Sequence, residues 1–203
     1  MTRESYATSL SLLSRARANE DTAWRQLVHL YGPLVQRWCR QAGLQTDDVA
    51  DVFQETFHAV SRTLDRFKPT NSAASFRSWL KTIARSKIVD LLRRRERVGV
   101  AVGGTEAFRM LAATAEPQPC EAAEDHEDRE DHALIVRRAL ELIRPEFEAR
   151  NWSSFLQVAI EGRSAADVAR DLEIAPQVVR QANYRIRRRL KNVLEDLVPP
   201  DVV

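Results

Sequence analysis

Residues 47–57 read Asp47-Asp48-Val49-Ala50-Asp51-Val52-Phe53-Gln54-Glu55-Thr56-Phe57. Residues 76–97 read Phe76-Arg77-Ser78-Trp79-Leu80-Lys81-Thr82-Ile83-Ala84-Arg85-Ser86-Lys87-Ile88-Val89-Asp90-Leu91-Leu92-Arg93-Arg94-Arg95-Glu96-Arg97. In both stretches apolar residues recur every three or four positions, the period of a helix with one buried stripe. Val49, Val52, Phe53, Thr56, Val60 and Leu64 line one stripe. Phe76, Trp79, Leu80, Ile83, Ile88 and Leu91 line the other. The first helix opens on carboxylates and the second closes on arginines. An acidic and a basic helix face so close together predict two partners of opposite charge. The basic face could track a phosphate backbone, and the acidic one could meet a basic protein surface.

The rest of the chain extends this helical pattern. It has 203 residues, 44% hydrophobic and 30% charged, with few glycines and prolines, so one or two domains with small cores are expected. A net charge of +2 hides a segregation. Basic runs lie at 93–97 and 185–191, and an acidic run from Glu121 to Asp131 lies between them, a pattern that often accompanies nucleic-acid binding. Cys39 and Cys120 form no disulfide framework, and Cys39 falls on an apolar face as a buried reduced thiol would. No apolar signal core and no membrane-length apolar stretch is present, which predicts a soluble cytoplasmic protein that binds no membrane.

The predicted fold is all-α: two small helical domains joined by a flexible linker. Residues 1–97 form the N-terminal helical bundle. Its first long helix carries Trp24, Leu27, Val28, Tyr31, Leu34, Val35 and Trp38 on one face, with a kink expected at Gly32-Pro33. Residues 98–132, with paired glycines, two prolines and alternating alanine and acid, read as a flexible acidic linker. A short helix is conceivable at 105–113, and the acidic half would repel DNA. Residues 133–203 form a four-helix C-terminal domain with a frayed tail.

Within that domain, residues 162–186 fit a helix-turn-helix. Ser164 can cap the first helix, with Asp167 three residues on. Ala165, Val168, Ala169 and Leu172 pack inward, and Pro176 suits the first turn of the second helix. Val179, Ala182, Ile186 and Leu190 then face the core. The opposite side presents Gln177, Arg180, Gln181, Asn183, Tyr184, Arg187 and Arg188. Gln and Asn can bond adenine edges, Arg can bond guanine edges, and Arg and Tyr can hold phosphates. Gln177, Arg180 and Gln181, near the helix start, would reach deepest into the groove. Two residues depart from the pattern: Glu173 stands where the turn favours Gly, and Ala175 cannot cap as Ser would.

Taken together, the two blocks resemble bacterial sigma factors of the extracytoplasmic-function group of the sigma-70 family. Residues 31–35 look like that family's region 2.1, residues 51–57 like region 2.2, residues 75–94 like regions 2.3 and 2.4, and residues 134–194 like region 4. The resemblance implies a factor that binds core RNA polymerase and directs promoter-specific initiation. Asp51, Gln54 and Glu55, with Asp48 beside them, would bind the clamp helices of the polymerase β′ subunit. Asp51 and Glu55 are i,i+4 neighbours on one face, as such a contact needs. An ordinary acidic helix start explains Asp47 and Asp48 equally well, but not Glu55, two turns in. The C-terminal domain would meet the β flap and read the −35 element. The loop before the third helix, with Asn71, Ser72 and Ser75, would capture a flipped base of the −10 element, whose extrusion costs a few kcal/mol. Arg77, Lys81, Arg85, Lys87 and Arg93 would follow the single strand. Ser86 stands where the family commonly has Asn. Phe76 and Trp79 lie on the apolar stripe, which favours core packing over base stacking.

No cofactor, metal site or catalytic group is read from the chain. Asp47, Asp48, Asp51 and Glu55 share one helix with no histidine among them, and no phosphate loop or nucleophile motif is present. The alternative is a stand-alone helix-turn-helix regulator whose N-terminal bundle serves oligomerisation or effector binding. An anti-sigma protein is a further candidate partner, for or against which no residue argues.

Overall fold

A computed structural model describes residues 12–67, 76–97 and 121–194, and every regular element among them is helical. The N-terminal domain begins with α1 (Leu12–Arg17) and α2 (Asp21–Gln41), joined through Asn19 in the left-handed region, φ 55°. α3 (Thr46–Thr63) runs into a 3-10 turn, Leu64–Arg66, and α4 spans Phe76–Arg97. α2, α3 and α4 pack on one another, and α1 covers α2.

The buried stripes follow the helical period. In α2, Leu27, Leu30, Tyr31, Leu34, Val35 and Trp38 are buried. In α4, Phe76, Leu80, Ala84, Ile88 and Leu92 are buried at a strict spacing of four. α2 runs as one helix through Gly32-Pro33, where a kink is expected. A Cβ on Gly32 would stand 3.0 Å from the Phe53 ring, so the bare glycine lets α3 approach α2 closely. Phe76 sits in an aromatic cluster. Its ring centroid lies 4.8 Å from Tyr31, 5.6 Å from Phe67 and 5.5 Å from Trp79, the first two edge-on. Arg17 donates to the carbonyls of Leu64 and Phe67, tying α1 to the end of the 3-10 turn.

α5 spans Glu121–Ile143 and corrects the expected linker. Residues 98–120, including the conceivable short helix, lie outside the described residues. Residues 121–132 are helical rather than flexible. The helix is held by charges far away in sequence: Asp131 is 1% exposed and bonded to Trp38 and Arg77. The chain divides into two compact units inside α5, between Ile135 and Val136.

The C-terminal unit holds the end of α5, a 3-10 turn at Arg144–Glu146 that accommodates Pro145, then α6 (Ala149–Ala159), α7 (Ala165–Asp171) and α8 (Pro176–Leu194). Val168, Ala169 and Val179 form the centre of the helix-turn-helix, with Val158, Ala165, Leu172 and Ile174 against them. Ser164 caps α7 as expected: its hydroxyl accepts from the Asp167 amide at 3.1 Å and donates to the Asp167 carboxylate at 2.6 Å. Glu173, the residue that departs from the glycine preference, takes the left-handed conformation itself, φ 53°. A side chain there is strained by about 1–2 kcal/mol, of which glycine's own entropy would return part. Glu173→Gly is therefore expected to stabilise the C-terminal domain by about 0.5–1 kcal/mol, read as a higher denaturation midpoint. An unchanged or lower midpoint would count against strain at this turn.

Candidate nucleic-acid and protein interfaces

On α3, the acidic face separates into two sets. Asp51, Gln54 and Glu55 are exposed, with Asp51 and Glu55 one turn apart. Asp48 is 4% exposed, and its carboxylate receives Arg95 of α4. This corrects its expected place beside the other three: Asp48 joins α3 to α4 and is not presented to a partner. Lys87 approaches Glu55 at 3.6 Å, and the Glu55 side chain stays 54% exposed. A pair this open contributes at most about 1 kcal/mol, so a partner can take Glu55 over.

On α4, Arg85, Ser86 and Arg93 are exposed. Lys81 is half-buried, with its ammonium 6.0 Å from the centroid of the Trp38 ring. Lys87 is half-buried beside Glu55. Asn71, Ser72 and Ser75 lie outside the described residues. Phe76 is core, at 1% exposed, and Trp79 is half-buried against Phe67, ring centroids 4.9 Å apart. The sequence reading missed Arg62 and Arg66. Both are exposed, and with His58 and Lys87 they line a groove between α3 and α4. Their four-residue spacing, from the polar side of α3 into the 3-10 turn, was the available signal.

Arg77 departs most from expectation. It is 5% exposed, so it is not free to follow a strand in this state. Its guanidinium donates to Asp131 at 3.1 Å and pairs with Asp128 at 2.7 Å. The indole N–H of Trp38 donates to the same Asp131 oxygen at 3.1 Å. Arg37 pairs with Glu130 and lies 4.0 Å from the other Asp131 oxygen. Burial, aided by the charge of Arg77, lowers the affinity of the neighbouring His132 imidazole for a proton, against the opposing pull of Asp128 and Asp131.

On α8, Gln177, Arg180, Gln181, Tyr184, Arg187 and Arg188 are exposed, as a face for the major groove requires. Arg180 donates from two nitrogens to the Gln177 side-chain oxygen, at 3.2 and 3.0 Å, which aligns the first-turn pair. Asn183 is a correction. It is 8% exposed and donates inward to the Val179 carbonyl at 3.0 Å, because it lies one turn beyond Val179 on the core side. Arg185, left out of the sequence reading, is exposed and shares a groove with Gln177, Gln181, Tyr184 and Arg188. Its i,i+4 spacing from Gln181 could have placed it there. Arg189 is engaged elsewhere, with two nitrogens on the Glu146 carboxylate at 2.7 and 2.8 Å.

Cys39 is buried, and burial pushes its thiol up to about 11, so it stays protonated and unreactive near neutral pH. Among the described residues no group of His, Cys, Asp and Glu is placed to hold a metal, and no helix is long and apolar enough to cross a membrane.

The chain therefore combines a helical bundle with an exposed acidic face beside a basic helix and, further on, a capped helix-turn-helix with a basic outer face. Residues 27–98 match the family model for sigma-70 region 2, the segment that holds α3 and α4. The ECF RNA polymerase sigma factor SigE of Mycolicibacterium smegmatis is 27% identical over 172 residues, covering 85% of this chain and 62% of its own length. The RNA polymerase sigma factor CnrH of Cupriavidus metallidurans is 35% identical over 113 residues, 53% of this chain and 57% of its own. The ECF RNA polymerase sigma factor SigD of Mycobacterium tuberculosis is 28% identical over 190 residues, 90% of this chain and 82% of its own. The chain thus spans less than two thirds of the length of SigE and of CnrH. Residues 27–98 thus carry a sigma-70 region 2, and the chain as a whole is similar to sigma factors of the extracytoplasmic-function group.

Proposed function

We propose that this chain is a promoter-specificity subunit of bacterial RNA polymerase. Asp51, Gln54 and Glu55 bind the clamp helices of the β′ subunit, and the C-terminal domain meets the β flap. α4 and the loop before it engage and open the −10 element, using Arg85, Ser86, Lys87 and Arg93 on α4 and Asn71, Ser72 and Ser75 before it. Lys81 serves there as well. α8 enters the major groove of the −35 element with Gln177, Arg180 and Gln181 on base edges, and Tyr184, Arg187 and Arg188 on the backbone.

One observation carries this reading. An acidic helix face left open to solvent and a helix-turn-helix with an open basic face occur in a single chain whose residues 27–98 match sigma-70 region 2. Each face lacks a described partner of opposite charge large enough to cover it, and the polymerase and the promoter would supply those partners. Transcription in vitro with core polymerase and a promoter library tests it. Addition of the protein is expected to produce initiation at a defined subset of promoters. No promoter-specific initiation would sink the reading. A tight, symmetric duplex complex without polymerase would instead favour a stand-alone regulator.

A further inference from the structure

The region from Glu121 to Asp131 carries seven carboxylates, and by its sequence it should only keep DNA away. The structure gives part of it another task. Asp128, Glu130 and Asp131 sit on a receptor built by Arg37 and Trp38 of α2 and Arg77 of α4. We propose that this part of α5 is an internal strap. It occupies an anion site of the N-terminal domain in the free protein, and a DNA phosphate strand replaces it when the promoter is engaged. The proposal rests on the promoter-binding reading above.

Three features support exchange over a purely structural clasp. The first is chemical likeness. Two carboxylates one helical turn apart on a single guanidinium, with an indole N–H beside them, occupy the donors that a phosphate would take. The second is incomplete satisfaction. The Arg77 Nε is buried with no hydrogen-bond partner among the described residues, so the strap leaves one donor of the receptor unused. A phosphate, with more acceptor oxygens, can fill it. The third is energetic. Burying Asp131 and Arg77 together costs desolvation that their attraction only roughly offsets, so the docked strap is held weakly enough to yield to a competing polyanion. This also explains why Arg77, whose position in the sequence matches the strand-tracking set, is hidden. It is reserved until the strap leaves.

The test uses the full chain. Asp128→Asn/Asp131→Asn removes both charges yet keeps side-chain acceptors for Trp38 and Arg77. A control, Asp21→Asn/Glu161→Gln, makes the same change in net charge at exposed positions. Binding of a fluorescent single-stranded DNA oligonucleotide is read by anisotropy, and hydrogen exchange of residues 121–135 is followed in the wild type with and without the oligonucleotide. The strap variant is expected to bind about tenfold more tightly than wild type, as removal of a competing closed state should give, with the control less than about twofold tighter. Oligonucleotide should also speed exchange in 121–135 of the wild type. Equal affinities of strap variant and wild type, or of strap variant and control, would overturn the proposal. So would oligonucleotide binding to the wild type with exchange in 121–135 unchanged, and that arm needs no variant to fold. Promoter-specific transcription by the wild type is scored separately, so failure of the sigma reading and failure of the strap give different results.

Discussion

Replacing Gln54 and Glu55 together by alanine is expected to weaken binding to core RNA polymerase at least about thirtyfold, while leaving the fold intact. Both side chains are exposed on α3, outside the stripe of Val49, Val52, Thr56 and Val60 that packs against the bundle. Truncation therefore opens no cavity. It removes the half-exposed Glu55–Lys87 pair, and such pairs contribute about 1 kcal/mol or less. At an interface the balance differs, because truncating a desolvated charged side chain at its centre costs about 2 kcal/mol or more. Affinity for core enzyme, measured by titration with labelled protein, should fall while the denaturation midpoint stays in place. Unchanged affinity would refute the assignment of this face. Asp48→Ala should behave oppositely. Asp48 is buried against Arg95, so its removal should lower stability before it affects polymerase binding.

Phe76→Ala is expected to destabilise the N-terminal domain by about 3–5 kcal/mol, the cost of removing a large aromatic from a closed core. Phe76 is 1% exposed and touches Tyr31, Phe67 and Trp79 at once. Chemical denaturation of the full chain should show the transition of the N-terminal domain at lower denaturant, with that of the C-terminal domain unmoved. A loss of stability under about 1 kcal/mol would mean that Phe76 is not core, and would return it to the set of residues open to stack on a base.

Much of this architecture was legible before any coordinates. The periodic stripes of α2 and α3 were readable because a helix that buries one face must repeat its apolar residues every three to four positions; in α4 the buried row takes Ala84 and Leu92, and Trp79, Ile83 and Leu91 of the expected stripe are half-buried at its edge. The cap at Ser164, the inward Val168 and Ala169, and the start of α8 at Pro176 were readable for the same local reason. The exposed sites, Asp51, Gln54 and Glu55 on α3 and Gln177, Arg180, Gln181 and Tyr184 on α8, also follow from local geometry, being the faces opposite those stripes.

The misreadings share one cause. Asp48, Arg77 and the acidic residues of α5 were assigned outward because each is charged and its neighbours in sequence gave it no partner. Their partners come from elsewhere: Arg95 lies 47 residues from Asp48, and Asp131 lies 54 residues from Arg77 and 93 from Trp38. Asn183 erred differently, by one position on the helical wheel, where a polar side chain can turn back to bond the Val179 carbonyl inside. The helices other than the first half of α5, and the helix-turn-helix, are thus specified by residue order alone, because they depend on spacings within one turn or two. Which charges stand open to partners and which are already taken is settled by the folded chain. Ion pairing depends on distance in space, and folding brings together residues that no local period connects.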